Sequence, residues 1–335
     1  MEEEILAYYK SNCPNLTNAD LEMEELSNIT DGWETEVFFF KLKSKLSKLP
    51  TPKPLILRIY PGQDAHVKSA WEYYAMEKLH ELKYPVPEVF ILEREKSPLG
   101  KPFVIMEYIN GTIMGEGLGS PKVQKQFVEL FMKLHSLNYR AFVDDTSFYT
   151  KDLVKMKLKS FRNVISHYQR KEYLPAIDWF DQKSNQIETD SFSPIHYDFH
   201  PYNILIWQED KKPIVIDWGG FEISDYRIDL AWTLLLVSTY EKPQMRNIIL
   251  KEYERIRGKA IVNIKFFEEI MALRRLFLIQ ASLTNGAEQL GMRPGAREEM
   301  KKNINHIKNV YSLFQDRTEL EIPKIEELIN QIEGK

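Results

Sequence analysis

The sequence lacks the features that mark secreted, membrane-spanning and nucleic-acid-binding proteins. It contains one cysteine, Cys13, in 335 residues, so no disulfide can form within the chain and a reducing compartment is expected. The strongest apolar run, Leu230–Val237, is too short to cross a bilayer. The net charge of −4 argues against a nucleic-acid-binding surface. The first residues, Met1–Ile5, lack the basic and apolar segments of a signal peptide.

These absences predict a cytoplasmic protein that binds neither nucleic acid nor a membrane, and that exists as a monomer or homodimer. Hydrophobic residues make up 43% of the chain, which is enough for a sizeable core. The length of 335 residues exceeds that of one average domain. We therefore expect two lobes.

The most informative segment is His196–Leu205, which is followed shortly by Val215–Trp218. It places Asp198 and Asn203 five residues apart on a predicted loop, and Asp217 at the end of a short apolar run. Phosphoryl transfer from ATP uses such a set, because one carboxylate orients the acceptor hydroxyl while a second carboxylate and an amide oxygen hold Mg²⁺. Mg²⁺ prefers oxygen ligands, so Asp and Asn suit it.

The spacing of these residues predicts a β-hairpin. Two apolar, β-rich segments, 203–207 and 213–217, flank a polar stretch. Because a hairpin brings the start of its first strand beside the end of its second, Asn203 and Asp217 are expected to meet at one end. The alternative is that these Asp and Asn side chains only cap turns, as they often do in loops. The complete string of histidines, carboxylates and short strands favours the chemical interpretation.

The first third of the chain predicts a small α+β lobe. Alternating and β-branched segments predict five strands, over 25–32, 34–43, 54–60, 88–93 and 102–108, with a turn at Asp31-Gly32 between the first two. Helices are expected over 1–22 and 65–82. The second helix has a predicted buried stripe formed by Val67, Ala70, Trp71, Tyr74, Ala75 and Leu79.

Beyond this lobe the apolar spacing becomes mostly helical. Helices are predicted over 122–137, 151–171, 225–240, 243–257, 264–286, 296–315 and 323–333. We therefore expect an N-terminal lobe over 1–108 that binds nucleotide, and a C-terminal helical lobe over 109–335 that carries the catalytic and substrate-binding residues.

The segments His196–Asn203 and Ile216–Trp218 resemble the aminoglycoside phosphotransferase-like, or choline kinase-like, small-molecule kinases. The resemblance implies a two-lobed protein kinase-like fold of the α+β class, with a small antiparallel-sheet lobe and a large helical lobe. It also implies ATP and Mg²⁺ as cofactors and a small-molecule hydroxyl as acceptor. This chain departs from the family pattern at Tyr197, where the family usually has glycine. That replacement costs little if the local φ is negative.

The resemblance assigns roles in the second lobe. Asp198 is implied to be the catalytic base, and Asn203 and Asp217 the metal ligands. The residues implied to support the loop are His196, His200 and Asp229. A metal role for the two histidines is disfavoured, because a Mg²⁺ site needs oxygen.

The resemblance also assigns the nucleotide side. Gly32 lies where the family has its phosphate-covering loop, and Thr35 is a candidate hydroxyl donor there. Arg58 takes the place of the kinase lysine beside the α- and β-phosphates, where a guanidinium can bind bidentately. Its expected partner on the following helix is Glu72, with Glu77 as the competitor. The residues that resemble the adenine-binding hinge are Glu107 and Ile109.

The sequence does not identify the acceptor substrate. Aminoglycosides, macrolides, amino alcohols such as choline or ethanolamine, and sugars are all compatible with the family. Four aromatic residues offer either faces for a cationic amine or ordinary core packing: Trp218, Tyr226, Trp232 and Tyr240. The rival interpretation from another class is a nucleotide-binding pseudokinase or scaffold without turnover, for which Arg58 is the main argument.

Overall fold

The computed structural model describes residues 2–12, 21–29, 35–44, 53–62, 64–95, 98–284 and 296–334. Contacts between Cα atoms divide the chain into two compact units. The first unit contains the described residues up to Thr112 together with Ile204–Gly219. The second contains Ile113–Asn203 and the described residues from Gly220 onward. No helix in the described ranges is long and apolar enough to cross a membrane.

The first unit is built on a five-stranded antiparallel sheet. Its strands are β1 (Leu21–Asn28), β2 (Glu36–Ser44), β3 (Leu55–Ile59), β4 (Val89–Glu93) and β5 (Phe103–Glu107), in the order β1-β2-β3-β5-β4. Leu55, Leu57 and Ile59 of β3 are buried, whereas Ile56 and Arg58 are only partly so. This alternation follows from the pleat and sends Arg58 to the face opposite the leucines. Helix α1 (Glu2–Asn12) buries Ile5 and Tyr9 in the same core.

Helix α2 (Ala65–Glu81) follows β3, and its buried face differs from the predicted one. Val67 and Trp71 are 56% and 41% exposed, so their assignment to the buried stripe is wrong. The buried face instead consists of Ala65, Ser69, Glu72, Ala75, Met76 and Leu79. Glu72 points inward because Arg58 compensates its charge, and this turns the apolar neighbours on the other side of the helix outward.

The predicted hairpin is present in the first unit. Strands β8 (Ile204–Trp207) and β9 (Pro213–Val215) pair antiparallel, with Ile204 opposite Val215. They form a three-stranded sheet with β6 (Gly111–Ile113), in the order β6-β8-β9. In this register Ile204, which follows Asn203, lies opposite Val215, which is two residues before Asp217.

The second unit is mainly helical. Its helices are α3 (Pro121–His135), α4 (Leu153–His167), α5 (Leu174–Ser184), α6 (Tyr226–Leu236), α7 (Pro243–Arg257), α8 (Ile264–Thr284), α9 (Ala296–Lys302), α10 (Ile304–Thr318) and α11 (Pro323–Glu333). Strands β7 (Phe192–Ile195) and β10 (Glu222–Asp225) form an antiparallel pair. Every residue of α6 is buried, and α6 packs against α8. This pair of helices is the centre of the unit.

Two predictions about the elements need correction. Residues 21–22 belong to strand β1 rather than to the N-terminal helix. The helix predicted over 296–315 is two helices, because Asn303 leaves helical geometry at φ −87° and ψ 33° before α10 begins. Helix α5 and the β7–β10 pair were not predicted from the sequence.

Candidate active site

The predicted site residues fall into two groups, one in each unit. The first group surrounds Arg58 on β3. Its Nη1 lies 3.0 Å from Glu72 Oε1, and its Nη2 donates to Asp217 Oδ1 at 2.6 Å. The hydroxyl of Tyr60 donates to Glu72 Oε2 at 2.6 Å. The sequence predicted Glu72 rather than Glu77 as the partner of Arg58, and the structure contains that ion pair.

The charges of this group stabilise one another in a buried setting. Burial opposes the charge of Arg58, but Glu72 and Asp217 outweigh it and raise the pKa of the guanidinium above its ordinary value. Burial also raises the pKa of Glu72, against the effect of Arg58 and the hydroxyl of Tyr60. Arg58 Nε is buried and has no hydrogen-bond partner among the described residues, so one donor of the fork is left for an anion.

Asp217 occupies a strained position directly after β9. Its φ is +68°, in the left-handed region that few residues other than glycine adopt, although Asp tolerates it better than most. The next residue fixes this turn, because the Trp218 indole N–H donates to the carbonyl of Val215 at 3.0 Å and the ring packs edge-on against Tyr84. The carboxylate of Asp217 stays 44% exposed. Strain held beside an accessible carboxylate is typical of functional positions.

The predicted hinge has one unused backbone donor. The N–H of Glu107 donates to the carbonyl of Glu88 at 2.8 Å, and that of Tyr108 to the carbonyl of Pro54 at 3.2 Å. Within the described part of the chain, no group accepts a hydrogen bond from the N–H of Ile109. A planar base could therefore bond the backbone there without displacing a protein contact.

The predicted phosphate loop is only partly described. Gly32 and the turn at Asp31 lie outside the described residues. Thr35 immediately precedes β2 and is 7% exposed. Its role as a hydroxyl donor stays a prediction.

The second group surrounds Asp198, on the loop that follows β7. Asp198 Oδ1 accepts a hydrogen bond from the Trp232 indole N–H at 2.8 Å, and Oδ2 lies 3.5 Å from His200 Nε2. The Asn203 amide nitrogen donates to the Asp198 carbonyl at 3.1 Å and lies 3.4 Å from Oδ2. Because His200 Nδ1 accepts from the N–H of Tyr202, the neutral imidazole carries its proton on Nε2, toward Asp198.

These contacts set the charge of Asp198. Burial raises its pKa, but the nearby His200 and the indole N–H of Trp232 outweigh burial and hold the pKa well below its usual range. The side chain of Asp198 is 43% exposed. The group is therefore an ionised carboxylate that a small molecule can reach.

Asp229 of α6 holds the backbone of this loop. Its carboxylate is fully buried and accepts from the N–H of His196 at 2.8 Å and from the N–H of Tyr197 at 2.9 Å. His135 of α3 lies 3.2 Å away on the same carboxylate. His196 in turn accepts a hydrogen bond from the N–H of Asp198 through Nδ1. Asp229 and His196 thus fix the direction in which the side chain of Asp198 points from the loop.

Tyr197 adopts the conformation that favours glycine. Its φ is +67°, so the replacement of the usual glycine carries backbone strain of about 1–2 kcal/mol. Gly220 is needed beside it, because an added Cβ would lie 2.9 Å from the carbonyl oxygen of His196 and 3.2 Å from Tyr197 Cβ. The loop therefore has little room to shift.

Asn203 and Asp217, one in each unit, each offer an oxygen of the kind that Mg²⁺ prefers. The Asn203 amide uses its nitrogen within the loop, which leaves the amide oxygen for a cation. Asp217 meets Arg58 through Oδ1, and its side chain is accessible. In the residues that the structure describes, no group of three or more His, Cys, Asp or Glu side chains could hold a metal ion. Mg²⁺ at nucleotide sites commonly uses one or two protein carboxylates, with phosphates and water as further ligands.

Several contributors were not predicted from the sequence. Tyr60 could have been found, because it lies two residues after Arg58 on the same strand face. The Trp232 indole donor could have been found too, because it lies three residues after Asp229 on α6. Of the four aromatic candidates for an acceptor, Trp218, Tyr226 and Trp232 are core residues at 0%, 1% and 4% exposure, and Tyr240 is exposed. The position of Arg274 beside the rings of Tyr197 and Trp232 had no sequence signal.

The sequence matches the phosphotransferase enzyme family over residues 25–261. None of the curated proteins matches it significantly. Solved structures with the same fold include a protein of Ralstonia eutropha JMP134 assigned to the aminoglycoside phosphotransferases. That protein is 14% identical with a TM-score of 0.65, over 94% of this chain and 98% of that chain.

Two further structures extend the comparison. A thermostable mutant of the aminoglycoside phosphotransferase APH(4)-Ia, in a ternary complex with ADP and hygromycin B, is 14% identical with a TM-score of 0.59, covering 93% of this chain and 98% of that chain. A choline/ethanolamine kinase family protein from Mesorhizobium loti is 15% identical with a TM-score of 0.56, covering 92% and 99%. The predicted kinase-like fold, with a small antiparallel sheet and a helical part, is confirmed.

Proposed function

Since this chain belongs to the phosphotransferase enzyme family and is a small-molecule phosphotransferase, we propose that it transfers the γ-phosphate of ATP to a hydroxyl group. Asp198 orients the acceptor, Asn203 and Asp217 hold Mg²⁺, and Arg58 neutralises the α- and β-phosphates. The acceptor is a small molecule of the aminoglycoside, macrolide, amino alcohol or sugar type.

The observation that carries this proposal is the setting of Asp198. Its carboxylate is accessible, is ionised because its pKa is depressed, and is oriented by the indole of Trp232 at 2.8 Å. Such a group suits phosphoryl transfer, in which positioning of the nucleophile matters more than strong basicity. A scaffold without turnover would not need this carboxylate to be both held and exposed.

The nucleotide side of the proposal rests on the Arg58 group. Glu72 and Asp217 fix the guanidinium at 3.0 and 2.6 Å, and the N–H donors that these carboxylates do not use can bond phosphate oxygens. An arginine therefore serves where kinases use lysine. Glu107 and Ile109 supply the backbone for the adenine, and Gly32 and Thr35 the phosphate loop. Mg²⁺, when bound, neutralises negative charge on the phosphates.

These roles account for each bond that forms and breaks in the transfer and for the proton that is released. The acceptor oxygen forms a bond to the γ-phosphorus, while the bond from that phosphorus to the β–γ bridging oxygen breaks and ADP leaves. The hydroxyl proton passes to Asp198. His200, Trp232 and Asn203 keep the carboxylate aimed while this happens.

The proposal is tested by ATP consumption with a panel of aminoglycosides, macrolides, amino alcohols and sugars, with Asp198→Asn as the blank. We expect at least one acceptor to be phosphorylated by the wild type and not by the variant. Thermal unfolding with and without Mg·ATP is the second measurement. If millimolar Mg·ATP causes no shift and no acceptor is consumed, the assignment fails.

Other expectations from the sequence remain part of the proposal. The protein works in the cytoplasm as a monomer or homodimer, on a small molecule rather than on nucleic acid or a membrane. Its functional lobes are 1–108, for the nucleotide, and 109–335, for catalysis and acceptor binding.

A further inference from the structure

Arg274 of α8 lies between two aromatic rings of the second unit. Its Cζ is 4.2 Å from the ring centroid of Tyr197 and 4.6 Å from that of Trp232. Both distances are within the range of cation–π contact. The guanidinium is therefore held in a fixed plane by two side chains.

Both aromatic residues are connected to Asp198, the proposed base. Tyr197 precedes Asp198 in the chain, and Trp232 donates its indole N–H to Asp198 Oδ1 at 2.8 Å. Asp198 already accepts from Trp232 and faces His200 at 3.5 Å. Arg274 thus sits in the immediate surroundings of the proposed base without being its ion-pair partner.

Within the described part of the chain, the guanidinium donors of Arg274 are not used. Nothing in the described ranges accepts a hydrogen bond from it, and its Nη1 is buried without a partner. The neighbouring Arg275 is different, because its Nε donates to His306 at 3.0 Å and its Nη2 to the Tyr240 hydroxyl at 2.8 Å. A guanidinium normally satisfies its donors, and a fixed one with open donors suits an oxyanion.

This arrangement disfavours a cationic acceptor. The faces of Trp232 and Tyr197 that an amine would need already carry a guanidinium, and Arg275 lies 5.9 Å from the Trp232 ring as a second positive charge. Two carboxylates in the same unit oppose these charges. Asp198 accepts from the Trp232 indole N–H at 2.8 Å, and the exposed Glu241 accepts from the Tyr202 hydroxyl at 2.8 Å. At Trp232 the two arginines outnumber the single carboxylate of Asp198.

We propose that Arg274 binds an oxyanion of the acceptor, so that, of the proposed acceptor classes, the substrate is of the sugar type and bears a carboxylate or phosphate group. This inference rests on the proposed function, because it places the anion beside the hydroxyl that Asp198 orients. Arg274 is then a specificity-determining residue. Tyr197 and Trp232 are the positioning residues that hold it.

The test uses four acceptors that share a pyranose ring: glucosamine, glucose, glucuronate and glucose 6-phosphate. Wild type, Arg274→Gln and the matched control Arg275→Gln are compared by mass spectrometry of the products. We expect the anionic sugars to exceed glucose and glucosamine by about 10- to 100-fold in kcat/KM. Arg274→Gln removes this preference, mainly through KM, and Arg275→Gln keeps it. Preferential turnover of glucosamine that depends on Glu241, or an unchanged preference in Arg274→Gln, overturns the inference.

A second measurement decides the matter if none of the four sugars is turned over. Malonate is titrated in the absence of nucleotide, and the thermal midpoint is followed. A malonate-dependent rise in wild type and Arg275→Gln that is lost in Arg274→Gln supports the site, and equal behaviour of all three overturns it. Because this arm needs neither ATP nor Asp198, its failure is distinguishable from failure of the phosphotransferase assignment.

Discussion

The Arg58 group and the Asp198 group hold their central side chains by different means. Arg58 is fixed by opposite charges, with Glu72 at 3.0 Å and Asp217 at 2.6 Å, and Glu72 is almost fully buried. Asp198 is fixed by hydrogen bonds from an indole and an amide, on a loop whose backbone Asp229 holds. The first group depends on charge balance, and the second on the path of the backbone.

This difference predicts different consequences of mutation. In the Arg58 group, removing one charge leaves its partner buried and uncompensated, so stability suffers first. In the Asp198 group, a small displacement changes the aim of the carboxylate, so turnover suffers first. Variants of the two groups should therefore separate stability from catalysis.

The largest expected effect is that of Asp198→Asn on turnover. The amide cannot accept the hydroxyl proton, and kcat should fall by about 10²–10⁴-fold. Nucleotide affinity should stay nearly unchanged, because the proposed phosphate contacts belong to the Arg58 group. Steady-state kinetics with a competent acceptor and nucleotide titration check the two halves. Wild-type turnover in this variant would remove Asp198 from the role of base.

Arg58→Met should act mainly on stability and on nucleotide binding. The variant leaves the buried Glu72 without its cation, which should cost about 3–5 kcal/mol of unfolding free energy. Urea denaturation measures this cost, and the KM for ATP should rise at the same time.

The double variant Arg58→Met with Glu72→Leu is the matched control. Replacing both partners with apolar side chains should recover most of the lost stability, because no buried charge is left uncompensated and the Asp217 carboxylate is 44% exposed. The ATP affinity should not recover. Recovery of both quantities would mean that Arg58 acts on the nucleotide only through the fold.

The sequence predicted the helices and strands in which apolar residues recur at regular spacing. Strand β3 and helices α7 and α11 lie where their spacing placed them, and the β8–β9 hairpin is confirmed. Helix α2 was found, but its buried face was not. Apolar spacing alone could not show that a carboxylate turns inward, since that depends on a partner from another strand.

The candidate site was predictable to the extent that its residues are close in sequence. Asp198, Asn203 and Asp217 share one short motif, so their spacing carries information. The contact between Asp198 and Trp232 joins residues 34 positions apart, and the positive φ of Tyr197 depends on Asp229 and Gly220. Arg274 of α8 contacts Tyr197 and Trp232, and no local sequence pattern indicates these contacts.

Gly220→Ala should disturb the Asp198 group without touching the Arg58 group. The new Cβ would lie 2.9 Å from the carbonyl oxygen of His196, so the loop must shift, at a cost of about 1–3 kcal/mol. We expect kcat to fall while the KM for ATP holds.

The matched control is Gly219→Ala, one residue earlier in the same turn. Its added Cβ would meet only Glu72 Oε2, at an ordinary contact distance of 3.8 Å. This variant should keep near-wild-type turnover. Equal loss in the two variants would show that the turn, rather than the approach to His196, sets the activity.

The smallest expected effect concerns the pH dependence of stability, where His306 and Glu72 contribute with opposite signs. Burial and the charge of Arg275 lower the pKa of His306 to about 2, whereas burial raises the pKa of Glu72. Below pH 6.5 the unfolded chain protonates His306 and the folded chain does not. Stability from this residue is therefore complete above pH 6.5 and falls on acidification by about 1.4 kcal/mol per pH unit. Glu72 favours the folded state as the pH falls toward its unfolded pKa.

His306→Gln isolates the histidine contribution, since glutamine can still accept from Arg275 without gaining a proton. Between pH 6 and 4.5, the loss of unfolding free energy should be smaller in this variant than in wild type by about 2 kcal/mol. The exposed His167→Gln is the control and should leave the slope unchanged. An unaltered slope in His306→Gln would mean that His306 takes up its proton equally in the folded and the unfolded protein, so that a second positive charge stands beside Arg275 at low pH.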